Sequence, residues 1–243
     1  MKYHLETIPV WDAYRAGAEC PLCLLHESSE ASYAEGFLGG SVMEPETRVM
    51  TNEKGFCQKH LHQLFDLKQR HPLALMAHTH LKHVLTQLDR EGEKAQRGLA
   101  GKRGLGRREA DPAEALAGRL AHQNSSCILC ERLETAMHRY ALTIGHLWRT
   151  DQEFAAAFAQ SRGFCQPHFA YMLQICGELP RGERAPFQNA LIELQRANMK
   201  RMEEELAWYI EKMDYNKRDL PWGTSRDALT RALTKLRGST YSD

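Results

Sequence analysis

The sequence predicts an all-α protein made of two related helical halves, each carrying a three-cysteine, one-histidine metal site at helix N-termini. Three observations support that class. Apolar residues recur at three- and four-residue steps, no convincing run alternates apolar with polar residues, and one cysteine/histidine pattern occurs twice in register. Cys20 and Cys127 lie 107 positions apart, and Cys57 and Cys165 lie 108 apart, which reads as an internal duplication.

In the first half, Cys20-Pro-Leu-Cys23 is followed 34 positions later by Cys57-Gln-Lys-His60. Pro45 suits the first turn of a short helix that should end near Gly55. Another helix should start inside Cys57-x-x-His60, and a longer one should run from Leu73 to about Glu91. In the second half, Cys127-Ile-Leu-Cys130 is followed 35 positions later by Cys165-Gln-Pro-His168. Between these motifs, Leu133, Met137, Tyr140, Ile144 and Leu147 mark one apolar helix face. Thr150-Asp-Gln-Glu153 reads as a capping box opening a helix through Phe154 and Phe158 that stops near Gly163.

Pro167 is placed for the first turn of the next helix, with Phe169, Met172, Leu173 and Cys176 on one side. A closing helix from Pro186 to about Tyr215 carries Phe187, Leu191, Leu194, Met202, Leu206, Tyr209 and Met213 as its apolar stripe. Between the halves, Arg90 to Pro112 is rich in glycine and basic residues and should be a flexible linker. The expected organisation is a first metal-binding helical repeat at 1–92, a basic linker at 93–115, a second repeat at 116–216, and a tail at 217–243. The tail combines a turn at Pro221 to Gly223 with a short amphipathic helix bearing Leu229, Leu233 and Leu236.

Composition narrows the function classes. With 243 residues, 42% hydrophobic and 26% charged, the chain is an ordinary globular one, and a net charge of +1 provides no global attraction to nucleic acid or anionic membrane. No stretch approaches about 20 consecutive apolar residues, so no membrane span is expected. Glu6 and Asp12 interrupt the opening segment, which lacks the apolar core of a secretory signal, and a cytoplasmic location follows as the expectation. In a reducing compartment, seven cysteines point to metal binding or redox chemistry rather than structural disulfides.

Three thiolates and one imidazole are a common tetrahedral zinc set. Pairing within each half predicts one site from Cys20, Cys23, Cys57 and His60 and a second from Cys127, Cys130, Cys165 and His168, leaving Cys176 over. Helices that begin just after each cysteine pair and within each Cys-x-x-His would direct positive helix ends at the sulfurs and favour thiolates. Zinc, two ions per chain, leads; an iron-sulfur cluster is the alternative, and soft thiolates also suit copper(I). Leu24 and Glu131 stand where a c-type haem attachment motif needs histidine, and thioredoxin-like chemistry lacks its βαβ context.

His71, His78, His80 and His83 are dense but read as packed or solvent-facing. No Ser-His-Asp signature, phosphate-binding glycine loop or zinc-protease motif is present. Four protein ligands close a zinc shell, which argues against hydrolysis at these ions.

The paired CPLC-like and GFCxxH motifs, the opening "YHLETIPVWDAYRAGAECPLCLLHE" and the tail "LPWGTSRDALTRALTKLRG" resemble a bacterial family known only as a domain of unknown function. The resemblance spans almost the whole chain and implies a helical bacterial metal-binding protein without an established activity. The expected function is a non-enzymatic zinc-binding scaffold for a protein or other macromolecular partner. The alternatives are a thiolate-based redox or metal sensor, and an iron-sulfur electron carrier or enzyme. The basic run at 94–108 offers an arm for nucleic acid, but it lacks aromatic residues for stacking bases, so a tether is favoured.

Overall fold

The structure, a computed structural model, describes residues 6–100 and 112–238. Within them the chain forms α1 (Thr7–Arg15), α2 (Pro21–Leu38), α3 (Pro45–Lys54), α4 (Gln58–Asp66), α5 (Arg70–Ala100) and α6 (Pro112–Ser125). There follow α7 (Ile128–Thr150), α8 (Gln152–Gln160), α9 (Gln166–Ile175), α10 (Arg181–Glu211) and α11 (Ala228–Arg237). No strand occurs among the described residues, and no helix there is long and apolar enough to cross a membrane.

The chain divides into two compact units, Met1–Ser29 with Glu134–Asp243, and Glu30–Leu133. These units differ from the halves at 1–92 and 116–216. Residues up to Ser29 group with the helices of the second half, and Cys127 and Cys130 group with those of the first.

In the first unit, α1 lays Trp11 and Tyr14 on Phe154 of α8, with ring centroids 5.2 and 4.8 Å apart. Phe158 continues that core onto Phe187 of α10 at 5.7 Å. Phe154, Phe158 and Phe187 are fully buried, and each such side chain contributes about 1.5–3 kcal/mol. The helix start near residue 150 is set one position later than the Thr150 capping box. Thr150 ends α7, and Asp151 caps α8 by accepting from the backbone N–H of Glu153 and Phe154 at 3.0 and 3.1 Å. The expected stop near Gly163 also moves, because Ser161 closes α8 and Gly163 serves the following turn.

The helix α10 starts ahead of Pro186, which lies inside it, and ends at Glu211; Met213 beyond it is exposed rather than part of the buried stripe. Lys212 then pins the return of the chain. Its buried ammonium donates to the carbonyls of Lys217, Arg218 and Leu220 at 2.6–2.7 Å, using all three of its hydrogens. The helix α11 is amphipathic with its leucines outward. Ala228, Ala232 and Lys235 form its buried face, while Leu229, Leu233 and Leu236 are exposed.

In the second unit, Phe37, Leu38, Val42, Leu64, Met76, Ile128 and Leu129 make the core. Phe56 packs edge-on against Phe37 at 5.3 Å. The helix α5 continues nine residues past Glu91, so 93–100 is helical rather than linker, and 112–115 opens α6. Ion pairs sustain that extension, from Lys94 and from Arg119 of α6 to Glu91 and from Arg97 to Glu93. The remainder of the predicted linker, 101–111, including Lys102, Arg103, Arg107 and Arg108, lies outside the described residues.

Candidate metal centres

All four ligand motifs share one local geometry. Cys20, Cys57, Cys127 and Cys165 each stand immediately before a helix, and Cys23, His60, Cys130 and His168 are the third residues of those helices. Helices therefore begin inside the cysteine pairs rather than after them. A capping position and the third helical position project to the same side, and the helix's free N–H groups face whatever they hold. Cys130 shows this directly, its backbone N–H donating to Cys127 Sγ at 3.5 Å. Cys57 and Cys165 have nearly the same backbone, φ −69° in both and ψ 165° and 161°.

A glycine two residues earlier makes each Cys-x-x-His turn possible, Gly55 at φ 62° and Gly163 at φ 70°. A side chain at either would also collide. A Cβ on Gly55 would stand 3.0 Å from the His80 ring, and one on Gly163 would stand 3.1 Å from Gln195 Oε1. His80 is thereby a packing residue, its Nδ1 2.9 Å from the Asn52 carbonyl. Gln195 clamps the buried Phe164 from both sides of its peptide, accepting from its N–H at 3.0 Å and donating to its carbonyl at 2.8 Å.

Two donor groups come together. Cys20, Cys23, Cys165 and His168 form one, in the first unit; Cys57, His60, Cys127 and Cys130 form the other, in the second. Within each, all donor atoms lie within 4.8 Å of one another. In the first, His168 Nδ1 is 3.2 Å from Cys165 Sγ and 3.4 Å from the sulfurs of Cys20 and Cys23, and the sulfurs of Cys23 and Cys165 are 3.7 Å apart. In the second, His60 Nδ1 is 3.2 Å from Cys57 and Cys127 and 3.3 Å from Cys130, and the sulfurs of Cys57 and Cys130 are 3.8 Å apart.

These groups could each hold a metal ion. Two sulfurs at about 2.3 Å from one ion, at the tetrahedral angle, stand about 3.8 Å apart. The observed separations match that figure and are far beyond a disulfide's length of about 2.05 Å.

The within-half sets predicted from spacing are therefore corrected: each cysteine pair joins the Cys-x-x-His of the other half. Packing along α2 gives the reason. The helix α2 is 18 residues, about 27 Å, long, and Phe56 seats edge-on against Phe37 near its C-terminal end, so the neighbouring Cys57 is held about 21 Å along the helix from Cys23.

The model of the family of unknown function DUF6062 matches residues 1–243. The chain belongs to that family. Comparison with curated proteins and with solved structures finds no match.

In this DUF6062 chain, the donors of each centre shift one another's protonation. Burial alone would depress the His168 imidazole, but hydrogen bonds and charge from the Cys165 and Cys20 sulfurs raise it to about 10. Hydrogen bonds from Cys20 and Cys23 hold Cys165 far below the ordinary thiol range, and Cys23 is correspondingly raised, first by its bond to Cys165. In the second centre, burial and the neighbouring Cys127 push Cys130 up to about 12. Burial opposes ionisation of Cys57 as well, yet the backbone N–H groups of His60 and Lys59 lower it.

Residues that spacing did not reveal surround the donors. Glu30 Oε1 lies 2.9 Å from His60 Nε2 and 2.6 Å from Lys59 Nζ, so the ring donates there and its Nδ1 lone pair faces the three sulfurs. Beside Cys20, buried Glu19 collects Arg201 at 2.6 Å, Lys235 at 3.1 Å, Arg231 at 3.3 Å and Arg162 at 3.4 Å. Burial would raise the Glu19 carboxyl, but Arg201 and Lys235 hold it below its ordinary range. The Lys235 ammonium, 1% exposed, also donates to the Glu19 carbonyl at 2.6 Å. Gly238 seals this centre, its φ of 68° letting the end of α11 approach where a Cβ would be 3.0 Å from Cys165 Sγ and 3.6 Å from Cys23 Sγ. No signal in the sequence distinguishes Glu19, Glu30 or Gly238 from surface residues.

Proposed function

We propose that this protein is a non-enzymatic, cytosolic helical scaffold carrying two structural zinc ions and offering its helix surfaces to a macromolecular partner. The observation that carries the reading is the pair of three-sulfur, one-nitrogen groups with sulfur separations of 3.7 and 3.8 Å. All donors within 4.8 Å of one another suit a single ion better than an iron-sulfur cluster, whose metal-sulfide core would hold its ligands farther apart. Four protein donors leave no open position for a substrate, which favours a structural role.

The repeated motif and its repeated backbone support a duplicated ancestor whose cysteine-pair helices exchanged partners. Exposed Leu81, Leu85 and Leu88 on one side of α5, and the exposed leucines of α11, support protein contacts. The basic run at 94–108 remains a less favoured arm for nucleic acid. A thiolate sensor is the second reading, favoured by the exposure of Cys130.

Elemental analysis of anaerobically purified protein should give two zinc per chain and no visible absorption. Removing the ions with a strong chelator should lower the melting temperature and loosen the helices, because apparent zinc energies of about 10–16 kcal/mol rival a domain's whole stability. A metal-free protein with unchanged melting would remove the structural role.

A further inference from the structure

The eight donors are unequally protected. In the first centre, Cys20, Cys23 and Cys165 are 1%, 5% and 0% exposed, and Gly238 lies against two of their sulfurs. In the second, Cys130 is exposed and Cys57 is half-buried. Cys57 also lines a cleft of about 440 Å³ floored by Phe56, Leu61, Val84 and Leu120. These two less protected cysteines belong to different segments and their sulfurs stand 3.8 Å apart, whereas Cys127 is buried and its sulfur accepts the Cys130 N–H.

We propose that Cys130 and Cys57 form a peroxide-reactive modification site, so that the second centre is released by hydrogen peroxide while the first is spared. The inference rests on the reading that both centres hold zinc. In the first step the Cys130 sulfur, ionised as a zinc ligand in the reading on which the inference rests, attacks the peroxide; an S–O bond forms, the O–O bond breaks, and the leaving hydroxide takes a proton to become water. In the second step the Cys57 thiolate attacks the Cys130 sulfenic acid; the S–S bond forms, the S–O bond breaks, and a second water leaves after protonation. Two thiolates, one peroxide and two protons become one disulfide and two waters, with the two sulfurs oxidised and the peroxide reduced. An ion at this centre then retains only His60 and Cys127 and dissociates, while the new bond keeps the starts of α4 and α7 joined.

The test uses the full chain, purified anaerobically, with its metal content measured first. Hydrogen peroxide is added, zinc release is followed with a colorimetric chelator, and the cysteines are mapped by mass spectrometry at successive times. One zinc and two thiols should be lost at least about tenfold faster than the second zinc, with a Cys57–Cys130 disulfide as the first product. Cys130→Ser should abolish the fast phase, and unmodified protein supplies the same information from its disulfide map should that variant fold poorly. Loss of both ions together, or a first disulfide involving Cys20, Cys23, Cys165 or Cys127, would overturn the proposal. Protein that contains no metal refutes the zinc reading instead, and the order of thiol oxidation in that protein still decides whether Cys57 and Cys130 react first.

Discussion

Serine at both Cys20 and Cys165 should cost the protein one tightly bound ion and leave the other untouched, whereas serine at both Cys20 and Cys57 should weaken both. The contrast follows from the donor groups, since Cys20 and Cys165 share a centre and Cys20 and Cys57 do not. A zinc energy of about 10–16 kcal/mol divided over four ligands is about 2.5–4 kcal/mol per donor. Losing two donors from one centre therefore costs about 5–8 kcal/mol, or roughly four to six orders of magnitude in affinity. Losing one from each costs each centre roughly two to three orders.

A chelator poised about tenfold weaker than the intact centres then separates the variants by metal stoichiometry. Cys20→Ser with Cys165→Ser retains one zinc, and Cys20→Ser with Cys57→Ser retains none. Pairing within the halves requires the opposite, so one tight zinc surviving in the Cys20/Cys57 variant would refute the crossed arrangement.

The surrounding residues carry further expectations. Glu30→Gln removes the carboxylate that orients His60 and should weaken the second centre by about 10–100-fold, without moving the first, as read by competition with a chelating dye. Gly238→Ala forces φ 68° on a residue with a side chain and sets its Cβ 3.0 Å from Cys165 Sγ. It should destabilise by at least about 1–2 kcal/mol in denaturant melts and weaken metal binding at the first centre alone. Gln195→Leu leaves the buried N–H and carbonyl of Phe164 without their partner and should cost about 1–3 kcal/mol, with the second centre's affinity unchanged.

Helix class and the helix starts marked by Pro45 and Pro167 were legible in the sequence because they are written in nearest neighbours. Pro45, Pro167 and the apolar steps of α7 act within a turn or two of themselves, and the structure places them as expected. Errors arose where the neighbourhood was ambiguous. Residues 93–100, the start of the run read as linker, place their charges at helical spacing, with Lys94 pairing to Glu91 and Arg97 to Glu93 across a turn. The leucines of α11 marked it as amphipathic without fixing which face is buried, and the space beside Glu19 takes Ala228, Ala232 and the Lys235 ammonium, since a buried carboxylate needs cations more than methyl groups.

The sequence by itself singled out the eight candidate donors and the chemistry they could support, because a cysteine before a helix and a cysteine or histidine at its third position converge wherever that helix lies. Tertiary structure decided which donors meet. Equal spacing in the two halves was neutral on that question, and packing decided it: Phe56 seats on Phe37, well along α2 from Cys23, and the adjoining Cys57 and His60 meet Cys127 and Cys130 instead.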